Sequence, residues 1–365
     1  MVLASIHRPG VLEGVRATYR LDPQHVRQFR NAIYKRGVAP DEAVARLPSP
    51  VRTRLAEEVA LTSLELVDRR DSQLDGATKL VLRNRAGLAL ESVVLRLRSG
   101  RNSVCVSSQI GCAAACRFCA TGQMGMARNL GVDEILEQVA LAGQMLQTEG
   151  RRLRNVVFMG MGEPLHNRAA VEEAVARLID PGWFALSPNH VVVSTIGIID
   201  EMHRFVARFP EVQLAVSLHT ARQEVRERLM PLAGHTSLDE LRRALAAIQL
   251  ARRRPTMLEY LLLDGINDTT ADLDALLAYC RDLDVHINLI PFNPIASAPW
   301  LRPSTPTHQA RFTRGLKEAG LNVTTRFSLG QDIAAACGQL VRRTPRAARA
   351  APLPADPRPA NYRAP

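Results

Sequence analysis

Three cysteines within one short loop constrain this 365-residue chain more than any other feature. The loop reads Gly-Cys-Ala-Ala-Ala-Cys-Arg-Phe-Cys-Ala-Thr-Gly, and its cysteines are Cys112, Cys116 and Cys119. Thiolates are the usual ligands of iron–sulfur clusters, and a four-iron cluster takes four of them. Because the loop supplies only three, one iron stays open for a chelating small molecule. The methionine end of S-adenosylmethionine (SAM) has suitable chelating groups.

The same loop permits a second interpretation, a structural zinc site. Structural zinc takes four cysteine or histidine ligands, usually arranged as close pairs in the sequence. Cys105 is then the candidate fourth ligand, since His166, the next histidine after the loop, is distant. The loop offers three ligands and no second pair, which favours the iron–sulfur interpretation.

The composition is that of an ordinary α/β protein. Hydrophobic residues make up 46% of the chain, yet no apolar run approaches the length of a membrane span. The start of the sequence lacks the apolar core of a secretory signal. Six cysteines, three of them in one loop, do not form the pattern of a disulfide framework. We therefore expect a cytoplasmic monomer with reduced cysteines and no membrane partner.

The charge of the chain favours a polyanionic partner. The net charge is +11 and the pI is near 10, which is typical of nucleic-acid binding. Most of the basic residues are arginine, a bias that genome base composition also produces. Residues 341–365 carry six arginines and one aspartate, or +5 of the +11. Their alanine, proline and arginine content predicts a disordered basic tail.

The segments before the cysteine loop change character along the chain. In 22–70, pairs such as Asp22-Pro23 and Ser49-Pro50 open short helices. This basic helical module is compatible with a plain bundle and with nucleic-acid docking. Strand patterns follow in 78–107. The predicted domains are a helical accessory (RNA-docking) domain, a β-rich extension, a catalytic α/β domain and a disordered tail, at 1–75, 76–104, 105–340 and 341–365.

After the cysteine loop, strand and helix patterns alternate. Short β-rich apolar runs between amphipathic helices predict a parallel sheet, and about six repeats favour a curled partial barrel over a closed eight-stranded one. The predicted strands are near 155–160, 190–195, 212–218, 256–263, 285–291 and 321–327. The predicted helices are near 132–149, 168–179, 199–209, 237–253, 269–283 and 305–319.

Polar motifs follow several of these strands. In a parallel barrel the functional residues gather at the carboxyl ends of the strands. Gly162 and Glu163 follow the first strand, Ser194 and Thr195 the second, Ser217 to His219 the third, and Asn288 to Asn293 lie on the fifth. Each motif alone is also typical of caps and turns. Together, at one rim above the cysteine loop, they predict a pocket for a polar nucleoside.

At this point the chain resembles a known family, the radical SAM adenine methyltransferases of ribosomal RNA (RlmN/Cfr-like). The likeness extends from the helical module to Leu340. It rests on Cys-Val-Ser-Ser-Gln-Ile-Gly-Cys (105–112), Cys-Arg-Phe-Cys-Ala-Thr-Gly (116–122), Arg-Asn-Leu (128–130), Gly-Met-Gly-Glu-Pro (160–164), Ser-Leu-His (217–219), 288–294 and Ala-Cys-Gly-Gln-Leu (336–340). The resemblance implies a partial (β/α)6 radical SAM barrel with a small helical domain and a short β extension.

The resemblance also implies a mechanism. A first SAM methylates Cys337, and a second SAM on a [4Fe-4S] cluster held by the loop cysteines yields a 5′-deoxyadenosyl radical. That radical takes hydrogen from the methyl group, and the methylene adds to C2 or C8 of an adenine, with C2 favoured. Glu91 is the implied proton acceptor, and Cys105 releases the product through a transient disulfide with Cys337. Without the resemblance, both cysteines are also compatible with buried apolar packing, and Glu91 with an exposed strand carboxylate.

The resemblance also implies which residues of this chain contact SAM and which partners the protein has. The implied contacts are Gly162, Glu163, Ser194, Ser217, Leu218, His219 and Asn293. His219 is equally compatible with a structural role. The implied partners are 23S rRNA, possible tRNA substrates and an electron donor such as flavodoxin or ferredoxin. Two other functions stay open: a radical SAM enzyme of another substrate class that uses Cys337 as sulfur donor or cluster ligand, and a non-catalytic RNA-binding module.

Overall fold

The computed structural model describes residues 3–252, 254–326 and 328–341. The predicted disordered tail, apart from Val341, lies outside the described residues. Within them, no helix is long and apolar enough to cross a membrane.

The N-terminal part consists of short helices. It contains a two-residue strand pair, four α-helices and one π-helical turn that extends the second helix. Asp22 caps that helix by accepting a hydrogen bond from the Gln24 amide at 2.7 Å. The elements are β1 (Ala4–Ser5), α1 (Val11–Thr18), α2 (Pro23–Arg30), the π-helix Asn31–Lys35, α3 (Pro40–Val44), α4 (Ser49–Glu58) and β2 (Val59–Ala60).

The β extension begins earlier in the chain than the sequence indicates. Strands β3 (Leu64–Asp71), β4 (Ala77–Asn84) and β5 (Ala89–Arg96) form an antiparallel meander. The prediction of helix up to residue 70 is therefore wrong for β3. A register shift between Leu66 and Asp68 interrupts the alternation of its side chains, so the period of two that identifies a strand is lost. Its charged, exposed side chains suit the edge of a sheet.

The meander joins the parallel barrel directly. Strand β5 pairs antiparallel with β6 (Asn102–Cys105), and β6 pairs parallel with the next barrel strand. The resulting sheet has ten strands in the order β14-β13-β12-β11-β10-β9-β6-β5-β4-β3. Its other strands are β9 (Asn155–Phe158), β10 (Val191–Thr195), β11 (Gln213–Ser217), β12 (Thr256–Leu262), β13 (Val285–Pro291) and β14 (Asn322–Thr325).

Helices connect the parallel strands, which confirms the predicted partial barrel. The six predicted strands correspond to β9 to β14, and β6, which the sequence places with the β-rich segment 78–107, pairs parallel with β9 as a seventh. The helices are α5 (Val132–Thr148), α6 (Arg168–Ile179), α7 (Ile199–Arg208), α8 (Gln223–Leu229), α9 (Leu238–Ala251), α10 (Thr270–Cys280) and α11 (Pro306–Glu318). A small separate hairpin, β7 (Gln109–Gly111) with β8 (Met126–Asn129), flanks the cysteine loop.

The alternation of side chains along each strand separates the core from the lumen of the barrel. In β9, Val156 is buried in the hydrophobic core, whereas Val157 and the following Met159 line the lumen of the barrel. Successive strand residues point to opposite faces. Side chains that face the lumen are therefore not needed for the hydrophobic core, and several of them are polar.

One buried arginine fastens the carboxyl ends of β10 and β11. Arg226 on α8 has no solvent exposure. Its guanidinium donates to the carbonyl oxygens of Ser217 and Leu218 at 2.9 and 2.7 Å and of Ile196 at 2.7 Å. Burial lowers its pKa to about 10. The cation remains charged at neutral pH and binds three carbonyl oxygens at or just beyond the ends of these strands.

We expect the substitution Arg226→Met to lower the free energy of unfolding by roughly 3 kcal/mol, because it leaves buried carbonyl groups without donors. Urea denaturation followed by circular dichroism measures this change. The control is Arg228→Met on the exposed face of the same helix, which should change stability by less than about 0.5 kcal/mol. Equal stability of the two variants would show that Arg226 does not hold the strand ends.

Candidate active site

The cysteine loop lies over the carboxyl ends of the barrel strands. The hairpin β7–β8 holds its base, where the Cys112 amide donates to the Gly125 carbonyl at 3.2 Å. The Arg117 amide donates to the Leu229 carbonyl at 2.8 Å, which ties the loop to the end of α8. A second hydrophobic cluster surrounds the loop and includes Cys112, Cys116, Ile196, Val225, Leu229, Leu261, Ile290 and Phe292. The loop thiols are therefore largely shielded from water.

The three thiols fit a multinuclear cluster better than a single metal ion. Among the described residues, the one group of His, Cys, Asp or Glu side chains whose ligand atoms all lie within 4.8 Å of one another is Asp264, Asp268 and His308. The three loop sulfurs are thus more widely spaced. Four sulfurs around one zinc ion lie within about 4 Å of each other, given Zn–S bonds of about 2.3 Å. The wider spacing leaves room for a cluster.

Burial and mutual repulsion make bare thiolates costly at this loop. Burial, with a smaller contribution from the neighbouring Cys119, raises the pKa of Cys112 to about 12. Burial, with Cys119 and Cys112, also raises the pKa of Cys116 well above its usual range. Metal ligation requires thiolates. A cationic iron–sulfur core would stabilise the three thiolates of this loop, so the residues present fit such a cluster.

Two cavities meet below the loop. The first, here the cluster cavity, is lined by the loop cysteines and the rim residues, including Cys112, Cys116, Cys119, Glu163, Ser194, Ser217, His219 and Glu259. The second, here the lumen cavity, is lined by Cys105, Met257, Asn288, Thr324, Arg326 and their neighbours. Their volumes are about 140 and 450 Å³, and together they reach the usual size of a small-molecule site.

Cys337 lines both cavities. The residue is more than a third exposed because it faces open space inside the barrel. Nevertheless, the surrounding protein desolvates the thiol and raises its pKa, while the Arg326 guanidinium opposes that rise. The structure thus places the predicted methyl-carrying thiol beside the cysteine loop.

Cys105 lies with Cys337 and not with the loop cysteines. It lines the lumen cavity, and burial followed by the nearby Cys337 raises its pKa to about 12. All six cysteines are free thiols in this structure. Cys105, the suggested fourth ligand of a zinc site, therefore does not lie beside the loop. Cys280 is buried in α10, as the apolar pattern around it indicates.

The C-terminal segment, residues 330–341, brings Cys337 to this position. It crosses the cysteine loop, where the Ala120 amide donates to the Gly338 carbonyl at 2.7 Å and Thr121 Oγ1 to the Leu340 carbonyl at 2.7 Å. Gly338 has a φ of +83°, and a Cβ there would lie 3.1 Å from the Phe118 carbonyl oxygen. A glycine is required for this close crossing.

Five of the seven predicted SAM contacts line the cluster cavity, and two do not. Gly162, Glu163, Ser194, Ser217 and His219 are in its wall. Leu218 has no solvent exposure and does not line the cavity. Asn293 is also buried: its amide donates to the Cys337 carbonyl at 3.1 Å and accepts from Gln331 at 2.7 Å. Here Asn293 holds the C-terminal segment.

Glu163 is engaged by the backbone around it. Its carboxylate accepts from the amides of Leu165 at 3.0 Å and Ile196 at 2.9 Å. Burial raises its pKa to about 7, while these two bonds oppose the rise. Gly162 beside it has a φ of +104°, and a Cβ there would lie 2.6 Å from Gln109 Cβ. The two residues shape the rim through backbone packing.

His219 is a neutral side chain with one free ring edge. Its Nδ1 accepts from the Leu261 amide at 3.1 Å, so the proton is on Nε2. Burial, with the charge of Arg226, lowers its pKa to about 3. Phe118 of the cysteine loop packs edge-on against the ring at 4.8 Å. His219 therefore combines a structural bond with a place in the cavity wall.

Glu91 is buried, contrary to the exposed alternative. It has no solvent exposure, its Oε1 lies 3.4 Å from Lys79 Nζ, and its Oε2 accepts from the Val341 amide at 2.9 Å. Lys79 also donates to the Ala334 carbonyl at 3.0 Å. The C-terminal segment covers this ion pair, and Glu91 lines neither cavity in this conformation.

Two polar residues near Cys337, Glu259 and Arg326, are not identified as site residues by the sequence patterns. Glu259 lies within the apolar strand β12, next to the predicted rim residue Asn288 on β13, and Arg326 lies just after β14. Glu259 and Asn288 are bonded, Nδ2 to Oε2, at 2.7 Å. A carboxylate inside an otherwise apolar strand was the signal available for Glu259, since burying it requires polar partners.

Comparison with known proteins agrees with this geometry. Residues 106–278 match the model of the radical SAM superfamily. A protein of Rhodopirellula baltica named as a probable RNA methyltransferase is 49% identical over 91% of this chain and 86% of its own length. The dual-specificity RNA methyltransferase RlmN of Sorangium cellulosum is 40% identical over 85% and 87%. The chain belongs to the RlmN-type family of radical SAM RNA methyltransferases.

A solved structure extends the agreement to the fold. A radical SAM methyltransferase from Sphaerobacter thermophilus superimposes with a TM-score of 0.87 at 35% identity, over 92% of this chain and 99% of its own. The family uses a [4Fe-4S] cluster and SAM as cofactors. The widely spaced loop thiols and the adjoining cavity fit both.

We expect the Cys116→Ser variant to lose most of the cluster, because the loop then supplies only two of the three thiolate ligands. The measurement is iron and acid-labile sulfide per chain after anaerobic reconstitution, with about four of each expected for the parent protein. Cys280→Ser is the matched control, since Cys280 is equally buried but lies outside the site. Full iron content in the Cys116 variant would show that the cysteine loop does not bind the cluster.

Proposed function

We propose that this protein methylates a ring carbon of adenosine, C2 in preference to C8, in 23S rRNA and also in tRNA. The single observation that carries the proposal is the position of Cys337, which lies between the cluster cavity and Cys105. Adenine C2 and C8 are electron-poor and cannot attack SAM directly, so the methyl group needs a carrier. The dual specificity in the name of the Sorangium relative supports two classes of RNA.

Cys337 acts first as a nucleophile and then as a carrier. Its thiolate attacks the methyl carbon of one SAM, and S-adenosylhomocysteine leaves. The Arg326 guanidinium favours that thiolate. When bound, the cluster supplies the electron that cleaves a second SAM to the 5′-deoxyadenosyl radical. The radical takes a hydrogen atom from the methyl group on Cys337 and becomes 5′-deoxyadenosine, and the methylene carbon then bonds to the adenine. The adduct gives up the ring proton and one electron, which the bound cluster would accept.

Cys105 completes the cycle. Its thiolate attacks the sulfur of Cys337, so a disulfide forms as the bond from that sulfur to the methylene carbon breaks. The electron pair of the broken bond stays on the carbon, which takes up a proton, and the methylated RNA is released. The two thiols interact across the lumen cavity, and both are free, which supports a transient disulfide. The second cycle requires external reduction of that disulfide.

Glu91 is proposed as the acceptor of the proton that leaves the adenine carbon. In this conformation it is sealed beneath Ala334 and Val341. The role therefore requires residues 334–341 to shift when RNA binds. A shift of the same segment also moves Cys337. The approach of the proton acceptor Glu91 to the adenine is therefore linked to the approach of the methyl carrier Cys337.

The remaining partners are also proposals. The N-terminal accessory domain, residues 1–75, carries the RNA-docking role, and a flavodoxin- or ferredoxin-type protein supplies electrons. The enzyme is proposed to act as a cytoplasmic monomer. These proposals rest on the family resemblance and on the basic charge of the chain.

We expect Cys337→Ala to abolish RNA methylation while the cluster is retained. A strain lacking the gene is complemented with the parent or the variant, and mass spectrometry of digested 23S rRNA and tRNA measures methyladenosine. The parent should restore 2-methyladenosine and the variant should not. Loss of iron from the variant would instead make Cys337 a cluster ligand. A parent that restores no methyladenosine in either RNA refutes the proposed function.

Glu91→Gln should slow RNA methylation by about 10²- to 10⁴-fold, because the adenine proton loses its acceptor. Methylation of Cys337 precedes that step and should be unchanged, as measured by the mass of the peptide that contains it. Lys79→Met is the comparison variant, since it removes the ion pair but leaves the carboxylate. If both variants lose Cys337 methylation equally, Glu91 only positions the C-terminal segment.

A further inference from the structure

A chain of hydrogen bonds inside the barrel ends in an unused carboxylate oxygen beside Cys337. Thr324 Oγ1 donates to Asn288 Oδ1 at 3.2 Å, and Asn288 Nδ2 donates to Glu259 Oε2 at 2.7 Å. Glu259 Oε1 is buried and has no hydrogen-bond partner among the described residues. The residue as a whole is 2% exposed. Burying a carboxylate oxygen without a hydrogen-bond donor costs folding free energy. We therefore expect this oxygen to accept a hydrogen bond from a ligand.

The three residues lie at one level of the sheet. Glu259, Asn288 and Thr324 are direct neighbours in the register of β12, β13 and β14. Because the strands are parallel and the side chains alternate, all three face the lumen. The orientation of the Asn288 amide is set by Thr324 on one side and Glu259 on the other. The strands, not a flexible loop, thus fix the direction of Glu259 Oε1.

Arg326 supplies a donor opposite this acceptor. Its backbone amide donates to the Leu289 carbonyl at 2.8 Å, and its Nη1 donates to Met159 Sδ at 3.2 Å. The guanidinium interacts electrostatically with Cys337, Glu259 and Cys105, and it lines the lumen cavity. A fixed acceptor and a fixed donor therefore flank the thiol that is proposed to carry the methyl group.

We propose that Glu259 and Arg326 recognise the target adenine, with Glu259 Oε1 accepting from its 6-amino group and Arg326 donating to a ring nitrogen. This inference rests on the proposed function. Adenine offers an amino donor beside ring-nitrogen acceptors, which matches the pair. Guanine carries a carbonyl oxygen where adenine has the amino group, and that oxygen would face a carboxylate. The arrangement therefore selects adenine through hydrogen bonds and disfavours guanine through repulsion between its carbonyl oxygen and the Glu259 carboxylate.

The position favours the nucleobase over SAM as the ligand of Glu259. Asn288 and Arg326 line the lumen cavity with Cys105 and Cys337, the two thiols proposed to bind and release the base. The loop cysteines and the serines Ser194 and Ser217 line only the cluster cavity. Glu259 lines the cluster cavity, but it accepts a hydrogen bond from Asn288, which lines the lumen cavity. It therefore lies where the two cavities join, which is where the methylene must reach the adenine.

Glu259→Gln is a sharp test because the hydrogen-bond chain fixes how the new amide points. Asn288 Nδ2 still needs an acceptor, so the glutamine carbonyl faces Asn288 and its NH2 faces the ligand. The substitution thereby turns an acceptor into a donor without changing volume. The probe is a synthetic RNA around the nucleotide identified by the digestion experiment, with either adenosine or purine riboside, which lacks the 6-amino group, at that nucleotide.

The expected result is a change in the ratio of methylation rates on the two RNAs. The ratio of adenosine to purine riboside should fall at least about tenfold in the Glu259 variant relative to the parent. Comparing the two enzymes cancels the intrinsic reactivity of the bases. SAM affinity and Cys337 methylation should be unchanged. Glu137→Gln is the matched control, a buried glutamate on α5 that accepts from the Ser63 amide at 2.7 Å, and it should leave the ratio unchanged.

Three outcomes would overturn the inference. An unchanged ratio with weaker SAM binding would assign Glu259 to SAM. An unchanged ratio with normal SAM binding would leave Glu259 without a recognition role. If the parent enzyme methylates no adenosine in RNA, the proposed function fails and the inference fails with it, whereas normal methylation with an unchanged ratio leaves the proposed function standing.

Discussion

The return of residues 330–341 across the barrel is the constraint on which the proposed chemistry depends. Backbone hydrogen bonds from Ala120 to Gly338 and from Thr121 to Leu340 fasten this segment to the cysteine loop. The Asn293 amide holds the Cys337 carbonyl from the end of β13. On the opposite side, Lys79 and Glu91 of the β extension hold its backbone. The segment thus joins the barrel, the cofactor loop and the β extension. Cys337 is positioned by all three, and a change in any of them moves the thiol.

Charge is arranged differently on the two sides of Cys337. On the loop side, three desolvated thiols repel one another and suit a cationic cluster. On the lumen side, burial opposes the charge of Arg326, but the nearby acidic groups Cys337, Glu259 and Cys105 outweigh it and raise the pKa of the guanidinium. This cation favours the thiolate of Cys337 without competing for the cluster. The β extension contributes to the same balance, because the ion pair of Lys79 and Glu91 is buried under the C-terminal segment and a buried ion pair is costly to break.

Much of the fold could be read from the sequence because its signals are local. The strands and helices of the barrel follow hydrophobic periodicity, and their predicted positions agree with the structure within a few residues. Two elements differ from the prediction. The register shift after Leu66 and the charged side chains of β3 remove its alternation, and the short helix α8 (Gln223–Leu229) is not among the predicted helices. The cysteine loop and most of the rim were accessible for the same local reason. Glu259 and Arg326 were not, since their meaning depends on neighbours that are distant in sequence.

The sequence by itself determined the type of cofactor loop, the parallel barrel and the identity of the candidate thiols, since spacing and periodicity are properties of short segments. Only the tertiary structure decided which of these residues meet. It placed Cys105 with Cys337 and away from the loop, assigned Asn293 to the C-terminal segment, and buried Glu91 beneath Val341. It also left one oxygen of Glu259 facing the lumen. The physical reason is that hydrogen-bond satisfaction and desolvation depend on contacts between strands and loops that are far apart in the chain.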